Sequence, residues 1–214
     1  MNAARASAGK GRRDPVRNRQ RILKSATDEF ARHGLGGARV DRIAAQAGAN
    51  KRMLYYYFGN KDALFLAVLE GGYASIRSAE QRLRLVDLEP EDAIRKLVTF
   101  TWNYYLAHPE FLSLLNSENL HQARHLKHSR QIAAMHSPLV ATIRGILRRG
   151  LRSGVFRDGV DPVQLYISVA ALGYFYLGNR YTLSTIFARD LLSARSRRQR
   201  LRHMTDLVLG YLRK

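Results

Sequence analysis

Apolar residues recur along this chain at helical spacing, with no convincing strand alternation. Ile22, Ala26 and Phe30 stand four apart, with Leu23 beside the first, and so share one face of a helix. Pro15 suits the first turn of that helix, Asp14 its cap and Gly34 its end. A second helix is predicted from Val40 to Ala47, a third from Lys51 to Phe58, and a long one from Lys61 to about Leu85. Past Pro90, the residues Ile94, Leu97, Val98, Thr101 and Tyr105 form a stripe with Phe100, Trp102 and Tyr104 around it. A helix apolar on most sides is usually buried. Pro109 opens another segment, and Pro138 interrupts or opens the next, amphipathic over 139–152 and ending at Gly154. Asp161 and Pro162 start a helix reaching about Tyr181, and the basic run Arg195–Arg202 leads into a last helix ending at Leu212. The expected fold class is all-α, with about nine helices and no internal repeat.

The segment VDRIAAQAGANKRMLYYYF, residues 40–58, has the pattern of a helix-turn-helix. Val40, Ile43, Ala44 and Ala47 form the inner face of its first helix, and Ala44 is small where two helices cross. Gly48 can take a left-handed backbone and turn the chain, and Asn50 suits the N-cap of the next helix. Leu54 and Phe58 return that helix to the core. Lys51, Arg52, Met53, Tyr55, Tyr56 and Tyr57 are left on the outer face. Basic residues at a helix start, with aromatics behind them, suit a helix lying in a major groove, where Arg and Lys donate to guanine O6 and N7. Tyr hydroxyls and Lys61 suit the flanking phosphates, helped by the backbone N–H groups where the following helix begins. The bland alternative is a helical hairpin with a solvated basic face.

Charge sharpens this picture. Thirty-six Lys and Arg against seventeen Asp and Glu give a net charge of +19, which points to nucleic acid or an anionic membrane surface. Residues 1–60 hold thirteen Lys and Arg against four Asp and Glu, a net of +9 in little more than a quarter of the chain. Residues 1–14, small and polar with Arg5, Lys10, Arg12 and Arg13, read as a disordered basic arm. Such an arm either reaches a minor groove or, the favoured reading, adds only general attraction.

The run from Ile22 to Leu69, about a quarter of the chain, resembles the DNA-binding region of the tetracycline-repressor (TetR/AcrR) family. The matching residues are Ile22, Ala26, Phe30, Gly34, Val40, Ile43, Ala44, Ala47–Gly48, Leu54–Tyr55, Phe58, Lys61 and Leu64. The resemblance implies a DNA-binding domain over 15–60 and a larger helical effector-binding and dimerisation domain over 61–214. It implies a homodimer that binds a palindromic operator on double-stranded DNA as a repressor, released by a small-molecule effector. It also implies base contacts from Lys51, Arg52, Met53 and Tyr56, and phosphate contacts from Tyr55, Tyr57 and Lys61. Arg39, Arg42 and Asn50 complete the expected DNA-binding set. Two positions depart from the family pattern. Ala38–Arg39 stands where the family often has Thr or Ser, which removes a hydroxyl cap worth about 1 kcal/mol, although Arg39 can grip a phosphate instead. Tyr57 replaces a common His.

In the larger domain, Trp102, Tyr105 and Phe111 are candidates for an apolar pocket wall, with Asn116, Glu118, Asn119 and His121 as polar groups beside it. Tyr174 and Asn179, with Tyr176, are weaker candidates. The aromatic and amide character of 102–121 favours a small aromatic or polar compound over a long lipid. His121, His125 and His128, at i, i+4 and i+7, would share a helix face, but an exposed or interface face is favoured over a metal site. Ala170, Ala171, Gly173 and Gly178, with the stripe Leu201, Met204, Val208 and Leu212, are expected at a dimer surface. Gly71–Gly72 would form a soft point in the connecting helix.

No phosphate-binding glycine loop, nucleophile elbow or HExxH is present, and the carboxylates are dispersed, so no enzyme is expected. The chain has no cysteine, which excludes disulfides and thiolate metal sites. No metal or cofactor is expected. No apolar run approaches the ~20 residues of a spanning helix, and the first residues do not read as a secretory signal, so a cytoplasmic protein without membrane contact is expected. The rival reading is a non-specific DNA-packaging protein, which accounts for the charge but not for a long, aromatic-rich second domain.

Overall fold

The computed structural model describes residues 15–214, apart from the side chains of residues 133 and 135–137. The expected basic arm lies outside these residues. Among them are ten α-helices and two short 3-10 turns. No β-strand is found among the described residues, only one isolated bridge between Phe156 and Arg213.

Helix α1 (Pro15–Gly37), α2 (Val40–Gln46) and α3 (Lys51–Phe58) make the N-terminal unit. Ile22, Ala26 and Phe30 of α1 are fully buried, as their four-residue spacing predicts. Gly34 has φ +63°, a backbone only glycine adopts cheaply, and it breaks α1 before one more turn completes the run. The kink presents the Leu35 N–H to Ser117 Oγ at 3.1 Å, which ties the end of α1 to α6 (Pro109–Leu120). Helix α4 (Lys61–Gln81) starts in this unit: its Leu64, Phe65, Val68 and Leu69 share a core with α1–α3 and with Leu114 of α6.

The second core lies between the rest of α4, α5 (Pro90–Ala107), α7 (Arg130–Arg152), α8 (Pro162–Gly178) and α10 (Ala194–Leu212). It is centred on Ile94, Leu97, Val98 and Trp102 of α5. The crowded apolar pattern of α5 thus becomes a central helix with neighbours on most sides.

Several elements differ from expectation. Helix α4 ends at Gln81 rather than Leu85, because Arg84 takes a left-handed backbone (φ +50°) and Leu85–Asp87 forms a 3-10 turn. Helix α7 starts at Arg130, capped by Ser129 Oγ accepting from the Ile132 N–H at 3.2 Å, and it carries Pro138 inside rather than at its start. The expected helix to Tyr181 is two: α8 stops at Gly178, and α9 (Arg180–Ile186) restarts beyond Asn179. Helix α10 begins at Ala194, earlier than the apolar pattern suggests, with Ser193 as its cap.

Candidate nucleic-acid interface and ligand cavity

Helices α2 and α3 meet through small residues. Ala44 and Ala47 are buried, and Gly48 turns the chain at φ +57°, the left-handed backbone its sequence position requires. Asn50 caps α3, its Oδ1 accepting from the Met53 N–H at 2.8 Å. Leu54 and Phe58 face inward, with the Arg19 guanidinium 5.1 Å from the Phe58 ring centre. The outer face carries Lys51 and Arg52, both exposed, with Met53 and Tyr57 half-buried. Tyr55 is 42% exposed and Tyr56 82% exposed. A ring as open as Tyr56 contributes little to folding. Its edge rests on Tyr57, at 5.3 Å between centroids.

Two charged side chains around this face, those of Lys51 and Arg42, have partners within the chain, and Arg39 is tied down through its backbone. Lys51 Nζ lies 3.0 Å from Asp41 Oδ1, which links the two helices across the turn and raises the lysine above its ordinary pKa. Arg39 precedes α2 and is exposed, while its backbone N–H donates to the buried Glu29 at 2.9 Å. Arg42 points back toward α1, its Nε 2.8 Å from Glu29 Oε1 and its Nη2 3.0 Å from the Gly37 carbonyl. Burial pushes the Glu29 carboxyl upward, but the Arg39 N–H and Arg42 outweigh it and hold the group below the usual carboxylate range. Lys61, half-buried, opens α4. Sequence reasoning missed the cap of that helix, Asn60, whose Oδ1 accepts from the Ala63 N–H at 2.7 Å, although Asn before a helical run is a readable signal.

Helices α4, α5, α6 and α8 line a cavity of about 290 Å³ that is open to the surface. Three of the expected ligand residues, Tyr105, Phe111 and Tyr174, line it. Asn116 is exposed and accepts a hydrogen bond from the Tyr174 hydroxyl. Sequence reasoning missed Tyr73, Arg77 and Tyr166, which also line it. The one legible hint was Arg77 itself, a charge between apolar Tyr73, Ile76 and Glu80-bearing turns of α4.

The remaining expected ligand residues lie elsewhere. Trp102 is 2% exposed in the second core, edge-on to Tyr176 at 5.6 Å. Glu118 is buried and accepts from the N–H groups of His125 (2.8 Å) and Leu126 (2.9 Å) and from His125 Nδ1 (2.6 Å). His121 Nδ1 donates to the Ser117 carbonyl at 2.7 Å, and Asn119 to the Leu115 carbonyl at 2.9 Å. Asn179 sits exposed between α8 and α9, its amide donating to the Phe175 carbonyl at 2.9 Å. The three histidines do not share a helix face. Residues 121–125 form turns in which Gln122 and Ala123 take left-handed backbones, so His125 is buried while His128 is exposed. Arg124 of this turn reaches Asp62 at the start of α4, 2.6 Å away.

The expected dimer stripe is also redirected. Met204, Val208 and Leu212 are buried within the chain's own core, and Gly173 faces Tyr105. What α8 and α10 leave outside is a different set, with Ile167, Phe175, Leu207 and Tyr211 each 47–59% exposed.

A two-helix reading unit with a capped, basic and aromatic outer helix, set on a separate helical domain, defines a helix-turn-helix DNA-binding regulator of transcription. Residues 22–68 match the model for bacterial regulatory proteins of the tetR family, and residues 90–208 match that of the tetracyclin repressor-like C-terminal domain. The chain belongs to the TetR family. It is 43% identical to the HTH-type transcriptional repressor NicS of Pseudomonas putida, over 92% of this chain and 93% of that one. It is 38% identical to the HTH-type transcriptional repressor SCO4008 of Streptomyces coelicolor, over 74% and 78% of the two chains. Among solved structures, the transcriptional regulator SCO4942 of Streptomyces coelicolor superposes with a TM-score of 0.68 at 27% identity, covering 91% of this chain and 98% of the other. No described helix is long and apolar enough to cross a membrane.

Proposed function

We propose that the protein is a ligand-responsive repressor that binds a palindromic operator as a homodimer and lets go when a small molecule enters the cavity. Arg52 and Tyr56 would read bases, with Lys51 and Met53 beside them, while Tyr55, Tyr57, Lys61 and Arg39 would hold phosphates. The carrying observation is that a single helix joins the two sites: α4 begins next to the outer face of α3 and lines the cavity with Tyr73 and Arg77 about three to four turns later. A ligand that moves α4 moves the DNA-reading unit packed on its first half. The names of NicS and SCO4008 as repressors support the sign of regulation. The exposed α8–α10 face supports the dimer, because Phe175, Leu207 and Tyr211 line one contiguous apolar groove, and such patches mark interaction surfaces.

The test is titration of the protein onto the DNA upstream of its own gene at about 0.15 M salt, with a metabolite panel screened in parallel by thermal shift. The proposal expects two chains per palindromic site and release by compounds that raise the melting temperature. Equal affinity for unrelated DNA, with no compound able to reverse binding, would instead indicate a packaging protein.

A further inference from the structure

The cavity wall holds one full positive charge. Arg77 is 5% exposed on α4 and stands as a partition between two spaces. On one side is a smaller cavity of about 240 Å³ that Glu80 also lines. On the other is the 290 Å³ cavity, which Glu80 does not line. A guanidinium is planar, and each pair of adjacent N–H groups can hold a carboxylate through two parallel hydrogen bonds. Glu80 occupies Nη1, at 2.6 Å. The opposite edge, Nε with Nη2, is only half met. Nη2 donates to the Tyr166 hydroxyl at 2.7 Å, and Nε is buried with no hydrogen-bond acceptor among the described residues. That edge therefore meets one neutral oxygen, and because Nε is buried a carboxylate takes both N–H groups only once the Tyr166 side chain swings aside.

The surrounding groups agree with an anion. Arg77 and Tyr166 meet in the cavity wall, with the guanidinium carbon 5.3 Å from the Tyr166 ring centre, and Tyr73 stands one turn before Arg77 on α4. Burial pushes Tyr73 up to about 12 and raises Tyr105 as well, although a phenol carries its proton at neutral pH even without such a shift. Phe111 packs edge-on against Tyr73, 5.5 Å between ring centres, and Leu115, Ile167 and Ala170 complete the apolar lining. Aromatic walls alone would also suit a cation, but the Arg77 charge in the wall opposes one. The volume lies at the low end for ligand sites, enough for a single ring rather than a long chain.

The geometry points to a small planar aromatic carboxylate as the effector class, its ring between the Tyr and Phe walls and its carboxylate on the Nε/Nη2 edge of Arg77, with the Tyr166 hydroxyl turned to donate to it. This rests on the reading of the cavity as the effector site.

The test is calorimetric titration of the full-length protein with benzoate and with its neutral isostere benzamide. Benzoate is expected to bind at least ~10-fold tighter, and Arg77→Gln is expected to remove that preference. Circular dichroism checks that the variant folds. If it does not, Tyr166→Phe serves instead, expected to weaken benzoate by about 3- to 10-fold and benzamide by no more than about twofold. Benzamide binding as well as benzoate, a preference that survives Arg77→Gln, or no benzoate binding at about 10 mM would each overturn the assignment. The effector-site reading is judged separately with Ala170→Phe, which fills the cavity. Any operator-releasing compound that still binds this variant removes the cavity from the effector role, whatever happens with benzoate.

Discussion

Glu29 shows how one buried carboxylate can set the posture of the reading unit. It receives the Arg39 N–H at the start of α2 and the Arg42 guanidinium from the first turn of that helix. The same bonds stand in for the missing hydroxyl cap at residues 38–39, since no side chain caps α2. Arg42, expected from sequence to meet DNA, is thus also a structural group. Glu29 is held below its ordinary 4.5, so its contribution to stability is present above that value and is lost as pH falls through the lowered one. Arg42→Ala is expected to lower stability in urea melts near about pH 7, with the gap to the wild type shrinking at about pH 3.5. A variant with unchanged stability at both pH values would mean that Arg42 serves DNA alone.

At the scale of elements, the proposed communication between the two halves runs through α4, whose two adjacent glycines are not equivalent. Gly71 has open space where a side chain would go, whereas a Cβ on Gly72 would lie 3.0 Å from the Phe111 ring. The helix runs unbroken through both. Gly71→Ala is expected to stabilise the protein by about 1 kcal/mol, the ordinary helix-propensity gain. Gly72→Ala is expected to gain nothing in the same thermal melts and to alter ligand affinity, because Phe111 lines the cavity. Equal stabilisation by the two would contradict the close approach seen here. Helices α1–α3 were legible in the sequence because their signals are local: apolar residues four apart, Gly48 at the turn, Asn50 at the cap. The turn at 121–125 was not, because Gln and Ala do not advertise left-handed backbones; Glu118, reaching from α6, holds the turn closed. The separate α9 was hidden for a similar reason, as helical periodicity does not mark such an interruption, whereas Pro138 inside α7 is one of the two places its sequence position allowed. The cavity was half legible. Its aromatic residues on α5 and α6 stand out, but the polar part of its wall is assembled from α4 and α8, 89 residues apart at the Arg77–Tyr166 bond.

For the whole molecule, a net charge of +19 secures general attraction to DNA, and specificity must come from a small exposed surface. That surface is one short helix, and pairing two copies is the economical way to enlarge it. The outer face of α8 and α10 is the place we propose for the pairing. Phe175→Glu, on a side chain 59% exposed and outside the chain's own core, is expected to leave the fold intact, yield a monomer by light scattering and lose most operator affinity. A dimer that survives this change would move the interface elsewhere. The most direct test of the central claim is fluorescence anisotropy on the palindrome upstream of the protein's own gene, comparing the wild type with Arg52→Ala and Tyr56→Ala. Both side chains are exposed on α3, so both variants should keep wild-type stability, lose about 1–3 kcal/mol of operator affinity and hold their affinity for unrelated DNA nearly unchanged. Wild-type affinity for the palindrome in both variants would contradict the account.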